Sequence, residues 1–178
     1  MLSESEKDFF AHATQNGFLK TPKKNKGNIV LLTCGEDKRF PHIYAHQRGM
    51  CDRVHVMALP GILLWFADRY SERGVRLREE LSWLLDRVLE WTGFGTIVPV
   101  GHWPCRMAKE MRLTCEENVC RTASAGDFLM RSYADRCAIM TEFHWDDGKH
   151  MSLHGMDIYH RDLTALMGEP LQGDLLEK

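Results

Sequence analysis

The apolar positions of this chain fall into short runs that indicate strands. Asn28-Ile-Val-Leu-Leu-Thr33 is apolar almost without interruption, which is typical of a strand buried on both faces of a parallel sheet. Val54 to Leu59 and Thr96 to Val100 predict two further strands of the same kind. Pro99 cannot donate to a ladder of hydrogen bonds, so we expect a sheet edge or a local irregularity at that position.

Between and after these runs, the apolar residues recur at helical spacing. A capping-box pattern predicts a helix from about Glu4 to Ala13. The clearest apolar stripe predicts a longer helix from about Val75 to Trp91, with Gly93 as its C-cap. Two more stretches, 41–49 and 106–135, are also predicted to be mostly helical.

The order of these elements predicts the fold class. Strands that alternate with helices pair in parallel and are joined by right-handed crossovers. The turn Asp147-Gly148, between two short strand-like stretches, adds a hairpin. We therefore predict a single α/β domain over residues 1–178, with a mostly parallel central sheet flanked by helices. Residues 1–27 are predicted to be an N-terminal helix and linker, and residues 168–178 a flexible tail.

Composition limits the functions to consider. The chain has 178 residues, of which 44% are hydrophobic and 27% are charged, the balance of a soluble globular domain. A net charge of −2 gives no reason to expect a nucleic acid or an acidic membrane as partner. The polar start carries no secretory signal, and no apolar run approaches the ~20 residues of a membrane span. We predict a cytoplasmic protein.

The chain has six cysteines, and without a secretory signal we expect all of them to be reduced thiols. Four of them belong to no motif, and we predict that they are small core residues. These four are Cys51, Cys115, Cys120 and Cys137. The other two, Cys34 and Cys105, lie near the ends of predicted strands.

Two of the predicted strands are followed directly by residues of the types that bind metals in proteins. Cys34 follows the first strand, and Gly101-His102-Trp103-Pro104-Cys105 follows the third. In open α/β sheets, sites form outside the carboxyl ends of the strands, so we expect these two segments to meet. Two thiolates and one imidazole are a ligand set of catalytic zinc, with a fourth position open. We predict one zinc ion held by Cys34, His102 and Cys105.

These motifs resemble those of the β-class carbonic anhydrases. That family carries Cys-x-Asp-x-Arg after its first strand and Gly-His-x-x-Cys after a later parallel strand, with a long helix between them. The same order is present here as Val30-Leu-Leu-Thr-Cys34, the predicted helix 75–91 and Ile97-Val-Pro-Val-Gly-His-Trp-Pro-Cys105. Phe143-His-Trp-Asp-Asp-Gly-Lys149 is similar to the family's Tyr-Asp-x-x-Thr-Gly hairpin. The resemblance covers roughly residues 28–155.

The resemblance implies a β-carbonic anhydrase-like domain whose zinc-bound hydroxide hydrates CO2 reversibly to bicarbonate. It also implies a homodimer or a higher even oligomer. The N-terminal helix with Phe9 and Phe10 offers an apolar face, either to such a partner or to its own domain. His42, His46 and His55 are all candidates for moving a proton out of the site, since imidazole titrates near neutral pH.

The residues after the first ligand depart from the family pattern. The family's Asp and Arg stand two and four residues after the first Cys, where this chain has Glu36 and Lys38. A one-residue insertion would instead make Asp37 and Arg39 the catalytic pair. We favour Asp37 and Arg39, because an Arg fork binds a carboxylate in a bidentate way and Lys does not.

Three other functions fit parts of the sequence. Arg106 and Met107 replace two glycines of the family, which favours a zinc-binding regulatory protein without catalysis. Different pocket walls would make the substrate a relative of CO2, such as CS2 or COS. The spacing from Cys34 to Arg39 is one residue shorter than in the Cys-x5-Arg phosphate loop of cysteine phosphatases. A phosphatase function would leave His102-Trp-Pro-Cys105 unexplained.

Overall fold

The computed structural model describes residues 2–24, 27–36 and 38–159, which form a mixed β-sheet flanked by helices. The helices are α1 Glu4–Gln15, α2 Phe40–Met50, α3 Ile62–Ala67, α4 Glu72–Thr92, α5 Arg106–Glu110 and α6 Cys115–Tyr133. The strands are β1 Leu19–Lys20, β2 Asn28–Thr33, β3 Arg53–Ala58, β4 Thr96–Trp103, β5 Ala138–Ile139, β6 Glu142–Asp146 and β7 Met151–Met156. None of these helices is both long enough and apolar enough to cross a membrane.

The sheet has the strand order β1-β7-β6-β4-β2-β3, and β5 pairs with β4 next to β6. Its centre is parallel, since β2 pairs with β3 and β4, and β4 pairs with β5 and β6. The hairpin predicted at Asp147-Gly148 is confirmed as β6 and β7, whose pairing is antiparallel, and β1 adds a second antiparallel pair at the edge. The α/β class is confirmed, but the sheet is mixed rather than mostly parallel.

The segment predicted as helix and linker also supplies an edge strand. Leu19 and Lys20 pair with the last two residues of β7. Two residues are too few to show the alternation by which a strand is recognised in a sequence. The predicted capping box of α1 is present, with the Ser3 side chain accepting from the Glu6 amide. The predicted tail at residues 168–178 lies outside the described residues.

Strand β2 is buried on both faces, as its continuous apolar run predicted. Val30 and Leu32 pack in one cluster with residues of α3, α4 and α6. Ile29 and Leu31 point the other way and pack in a second cluster with Ile43 of α2. At β2, the sheet is therefore covered by α3, α4 and α6 on one face and by α2 on the other.

Strand β4 extends further than predicted and includes His102. A glycine allows α6 to cross it closely, because a Cβ at Gly101 would overlap the side chain of Thr122. The irregularity expected at Pro99 is confirmed. On one side of β4, the paired strand is interrupted at this position. β5 pairs with β4 up to Ile97, and β6 pairs with β4 from Val100 onward.

Candidate metal centre

The three predicted metal ligands meet at the carboxyl ends of two adjacent strands. Cys34 is the first residue after β2, His102 lies within the last part of β4, and Cys105 is the N-cap of α5. Glu36 joins them from the loop after β2. The four candidate ligand atoms all lie within 4.8 Å of one another, so this cluster can hold a metal ion.

His102 has the tautomer that a metal ligand needs. Its side chain is 2% exposed, and its Nδ1 lies 3.0 Å from the carbonyl oxygen of Pro104. A carbonyl oxygen only accepts, so Nδ1 carries the proton and Nε2 presents a lone pair. Among the described residues, Nε2 has no hydrogen-bond partner and lies 3.4 Å from Glu36 Oε2.

The two cysteines share a proton with each other. The thiol of Cys105 donates a hydrogen bond to the sulfur of Cys34, which lowers the pKa of Cys34 well below its ordinary range. The same bond, together with burial, raises the pKa of Cys105 above its ordinary range. A divalent cation would replace this shared proton, because metals bind cysteine as thiolate.

Gly61 shapes the wall next to Cys34. Its backbone N–H lies 3.4 Å from the Cys34 sulfur and donates to it. Its φ of +66° is in the left-handed region that favours glycine. A Cβ at this position would also overlap Met107, one of the two residues that replace glycines of the resembled family. The loop that holds Gly61 and the helix that holds Met107 therefore pack tightly beside the cluster.

Arg39 holds Glu36 by one oxygen and leaves the other free. Arg39 Nη1 lies 2.9 Å from Glu36 Oε1, and Arg39 Nη2 lies 3.0 Å from Asp146 Oδ2. Arg39 thus pairs with Glu36 and Asp146. Asp37, which the sequence favoured as the partner of Arg39, lies outside the described residues, and Lys38 is exposed.

A row of polar contacts, which we call the α2 seam, continues from this cluster along β6. Alternate residues of β6 face α2 or its N-cap, and each meets a polar side chain there. The three pairs are Asp146 with Arg39, His144 with His42, and Glu142 with Gln47. His144 Nε2 and His42 Nδ1 are 2.9 Å apart, and burial lowers the pKa of His144 to about 3, so that this ring is uncharged.

Asp146 and His144 were missed as site residues in the sequence. The only signal was their place in the hairpin stretch 143–149, whose strand β6 lies directly beside β4. Of the three histidines considered for proton transfer, His42 joins the α2 seam. His46 is half-buried on α2, and His55 lies in the edge strand β3.

Buried polar atoms without a hydrogen-bond partner gather around the cluster. Of the ten such atoms in the described chain, five lie on residues of the cluster or on residues next to or bonded to them: Thr33 Oγ1, Glu36 Oε2, Arg39 Nε, His102 Nε2 and His144 Nδ1. Buried polar groups in proteins are almost always hydrogen bonded, so several together indicate a site for an ion or for water. The donor set and these free atoms both fit a bound metal.

Comparison of the chain with protein-family models, with curated proteins and with solved structures gave no match.

Proposed function

We propose that this chain is a zinc enzyme that catalyses the reversible hydration of CO2 to bicarbonate, with Cys34, His102 and Cys105 as its zinc ligands. One observation carries the proposal: the free Nε2 of His102 faces two cysteine sulfurs and a carboxylate oxygen, all within 4.8 Å. Sulfur and imidazole donors favour zinc over magnesium or calcium, which prefer oxygen ligands.

In this reaction, Glu36 would orient the attacking water and Arg39 would hold Glu36 in place. When bound, zinc acts as a Lewis acid that makes a water molecule nucleophilic near neutral pH. Glu36 supplies the acceptor that orients this water, because its Oε2 has no partner among the described residues. Arg39 fixes Glu36 through Oε1 and is itself fixed by Asp146. The pair in this proposal is therefore Glu36 with Arg39.

The charge on Arg39 argues against the phosphatase interpretation. A phosphate loop needs a free cation to meet the anion, but Arg39 is already bound by the carboxylates of Glu36 and Asp146. The orientation of His102 towards Cys34 also has no role in that chemistry.

A second candidate function is zinc binding without catalysis. It is favoured by Glu36, whose carboxylate stands with the two cysteines and His102 as a fourth possible ligand. Structural zinc sites have four protein ligands, whereas catalytic sites keep one position open. The two candidates differ in whether Glu36 binds the metal or the water beside it.

The experiment is stopped-flow measurement of CO2 hydration by the zinc-loaded chain, with zinc content measured on the same sample. The proposal predicts hydration that a chelator removes and added zinc restores. Bound zinc without hydration would overturn it in favour of the non-catalytic candidate. Released sulfide from COS or CS2, with no CO2 hydration, would instead identify a hydrolase of a related substrate.

A further inference from the structure

A cavity of about 310 Å³ opens near the end of the α2 seam that is farther from the metal cluster. Met130, Met140 and Met156 contribute to its walls, together with Ile139 and Ile158. Methionine side chains are flexible and polarisable, and they adapt to apolar ligands of different shapes. The volume is at the lower end of the range for small-molecule sites in proteins.

The rim of this cavity carries positive charge. Lys20 and Lys23 both line it, and Asp157 lies with them. Lys20 Nζ is 2.7 Å from Asp157 Oδ2, so these two charges compensate each other. Lys23 is exposed and forms no ion pair within the described part of the chain. One positive charge is therefore available at the rim, which suits a monoanion.

A buried acidic residue, Glu142, lies in the cavity wall, with its carboxyl bound to Gln47 of α2. Glu142 lines the cavity, is 2% exposed, and accepts a hydrogen bond of 2.5 Å from Gln47 Nε2. Burial raises the pKa of Glu142 to about 8, so this carboxyl is mostly uncharged near neutral pH. Near neutral pH, Glu142 therefore adds little negative charge beside the cavity.

We propose that this cavity binds a small carboxylic acid with an apolar body. Its carboxylate would meet Lys23 at the rim beside the Lys20–Asp157 pair, and its apolar part would lie between the three methionines. The proposal does not depend on the metal cluster or on CO2 hydration.

The test uses three probes with the same chain length: octanoate, octanol and octylammonium. Binding to the full chain is followed by calorimetry and by NMR of methionine methyl groups. We expect octanoate to bind most tightly and to shift the methyl signals of Met130, Met140 and Met156, while that of Met107 at the metal cluster stays in place. Tighter binding of octylammonium, or no binding of octanoate, would overturn the proposal.

Two charge-reversal variants show whether octanoate binds at this cavity or is only attracted by the overall charge of the surface. Lys23→Glu should weaken octanoate binding roughly fivefold, which corresponds to ~1 kcal/mol. Lys24→Glu changes the net charge equally, but Lys24 does not line the cavity, and we expect a smaller effect. Equal effects of the two substitutions, or methyl shifts outside the cavity only, would contradict a site at this position.

Discussion

His102 gives the clearest residue-scale evidence for a metal site. One ring nitrogen is hydrogen bonded to the Pro104 carbonyl, and the other faces Cys34, Cys105 and Glu36 without a partner in the described chain. This is how metal-binding histidines are held, with the second nitrogen fixed by an oxygen behind the ring.

Substitutions at Glu36 and its neighbours test the proposed catalytic pair. If Glu36 orients the reacting water, Glu36→Gln should lower CO2 hydration roughly 10- to 100-fold while zinc stays bound. Arg39→Ala should also lower the rate, because Glu36 loses the contact that fixes it. Lys38→Ala is the control, since Lys38 is exposed and forms no ion pair in the described chain.

The same variants show whether Glu36 binds the metal instead of the water, and whether Asp37 instead of Glu36 is the catalytic carboxylate. Loss of zinc in Glu36→Gln would identify Glu36 as a metal ligand and would favour the non-catalytic candidate. Asp37→Asn tests the pair predicted from the sequence, Asp37 with Arg39. A large loss of rate in Asp37→Asn, with Glu36→Gln unaffected, would refute the Glu36 assignment.

The approach of Cys34, His102 and Cys105 to one another could be predicted from the sequence, but their surroundings could not. Cys34 and His102 stand at the ends of recognisable buried strands, and parallel strands bring such ends together. The pairing of Arg39 with both Glu36 and Asp146 depends on a contact with a distant strand. No local pattern indicates which carboxylate an arginine reaches after folding.

At the scale of elements, β6 shows why a sequence pattern can mislead. Glu142, His144 and Asp146 alternate with aromatic residues, which is typical of a strand with one face in water. All three are buried, because α2 covers that face and the helix or its N-cap supplies a polar partner for each residue. The pattern predicts the strand correctly, but it cannot show that a polar face is covered by a polar helix face.

Substitution of Gly126 in α6 tests how closely this helix packs on the sheet. A Cβ at Gly126 would overlap Thr141, so we expect Gly126→Ala to lower the free energy of unfolding by ~1–3 kcal/mol. This should occur although alanine is the better helix former. Gly95→Ala is the control, because nothing lies within 4 Å of its added Cβ. Urea unfolding measures both variants.

Partial recovery in the double variant Gly126→Ala/Thr141→Ala would show that the overlap with Thr141 is the cause. An unchanged unfolding free energy in Gly126→Ala would mean that α6 is not held against the sheet at this point.

At the scale of the whole molecule, Glu142 makes stability depend on pH. Its folded pKa of about 8 lies above the ordinary value of 4.5, so the folded state binds the proton more tightly. This contribution is fully present below about 4.5 and is lost as the pH rises through about 8. Glu142→Gln should therefore reduce the fall in stability on going from low to high pH.

The measurement for Glu142 is urea unfolding of parent and variant at about pH 5 and about pH 9, on either side of the folded pKa. The exposed Glu79→Gln serves as the control and should keep the parent's dependence. Equal pH dependence in the parent and in Glu142→Gln would contradict the raised pKa.

Assembly into a homodimer or a higher even oligomer stays a prediction. The resemblance implied this assembly, and the apolar face of α1 that could meet a partner is partly used within the chain, since Phe10 stacks on Trp145 with ring centroids 4.2 Å apart. We expect light scattering of the full chain at micromolar concentration to give the mass of a dimer or of a multiple of it. A monomer mass would refute the prediction and would weaken the resemblance on which it was based.

The central claim is that Cys34, His102 and Cys105 bind one zinc ion per chain. X-ray absorption of the zinc-loaded chain tests it directly. We expect two sulfur neighbours at about 2.3 Å and nitrogen or oxygen neighbours at about 2.0–2.1 Å. Cys34→Ser and Cys105→Ser should each remove a sulfur or the metal, whereas Cys120→Ser should change neither. A spectrum without sulfur neighbours, or a chain that retains no zinc, would contradict the account.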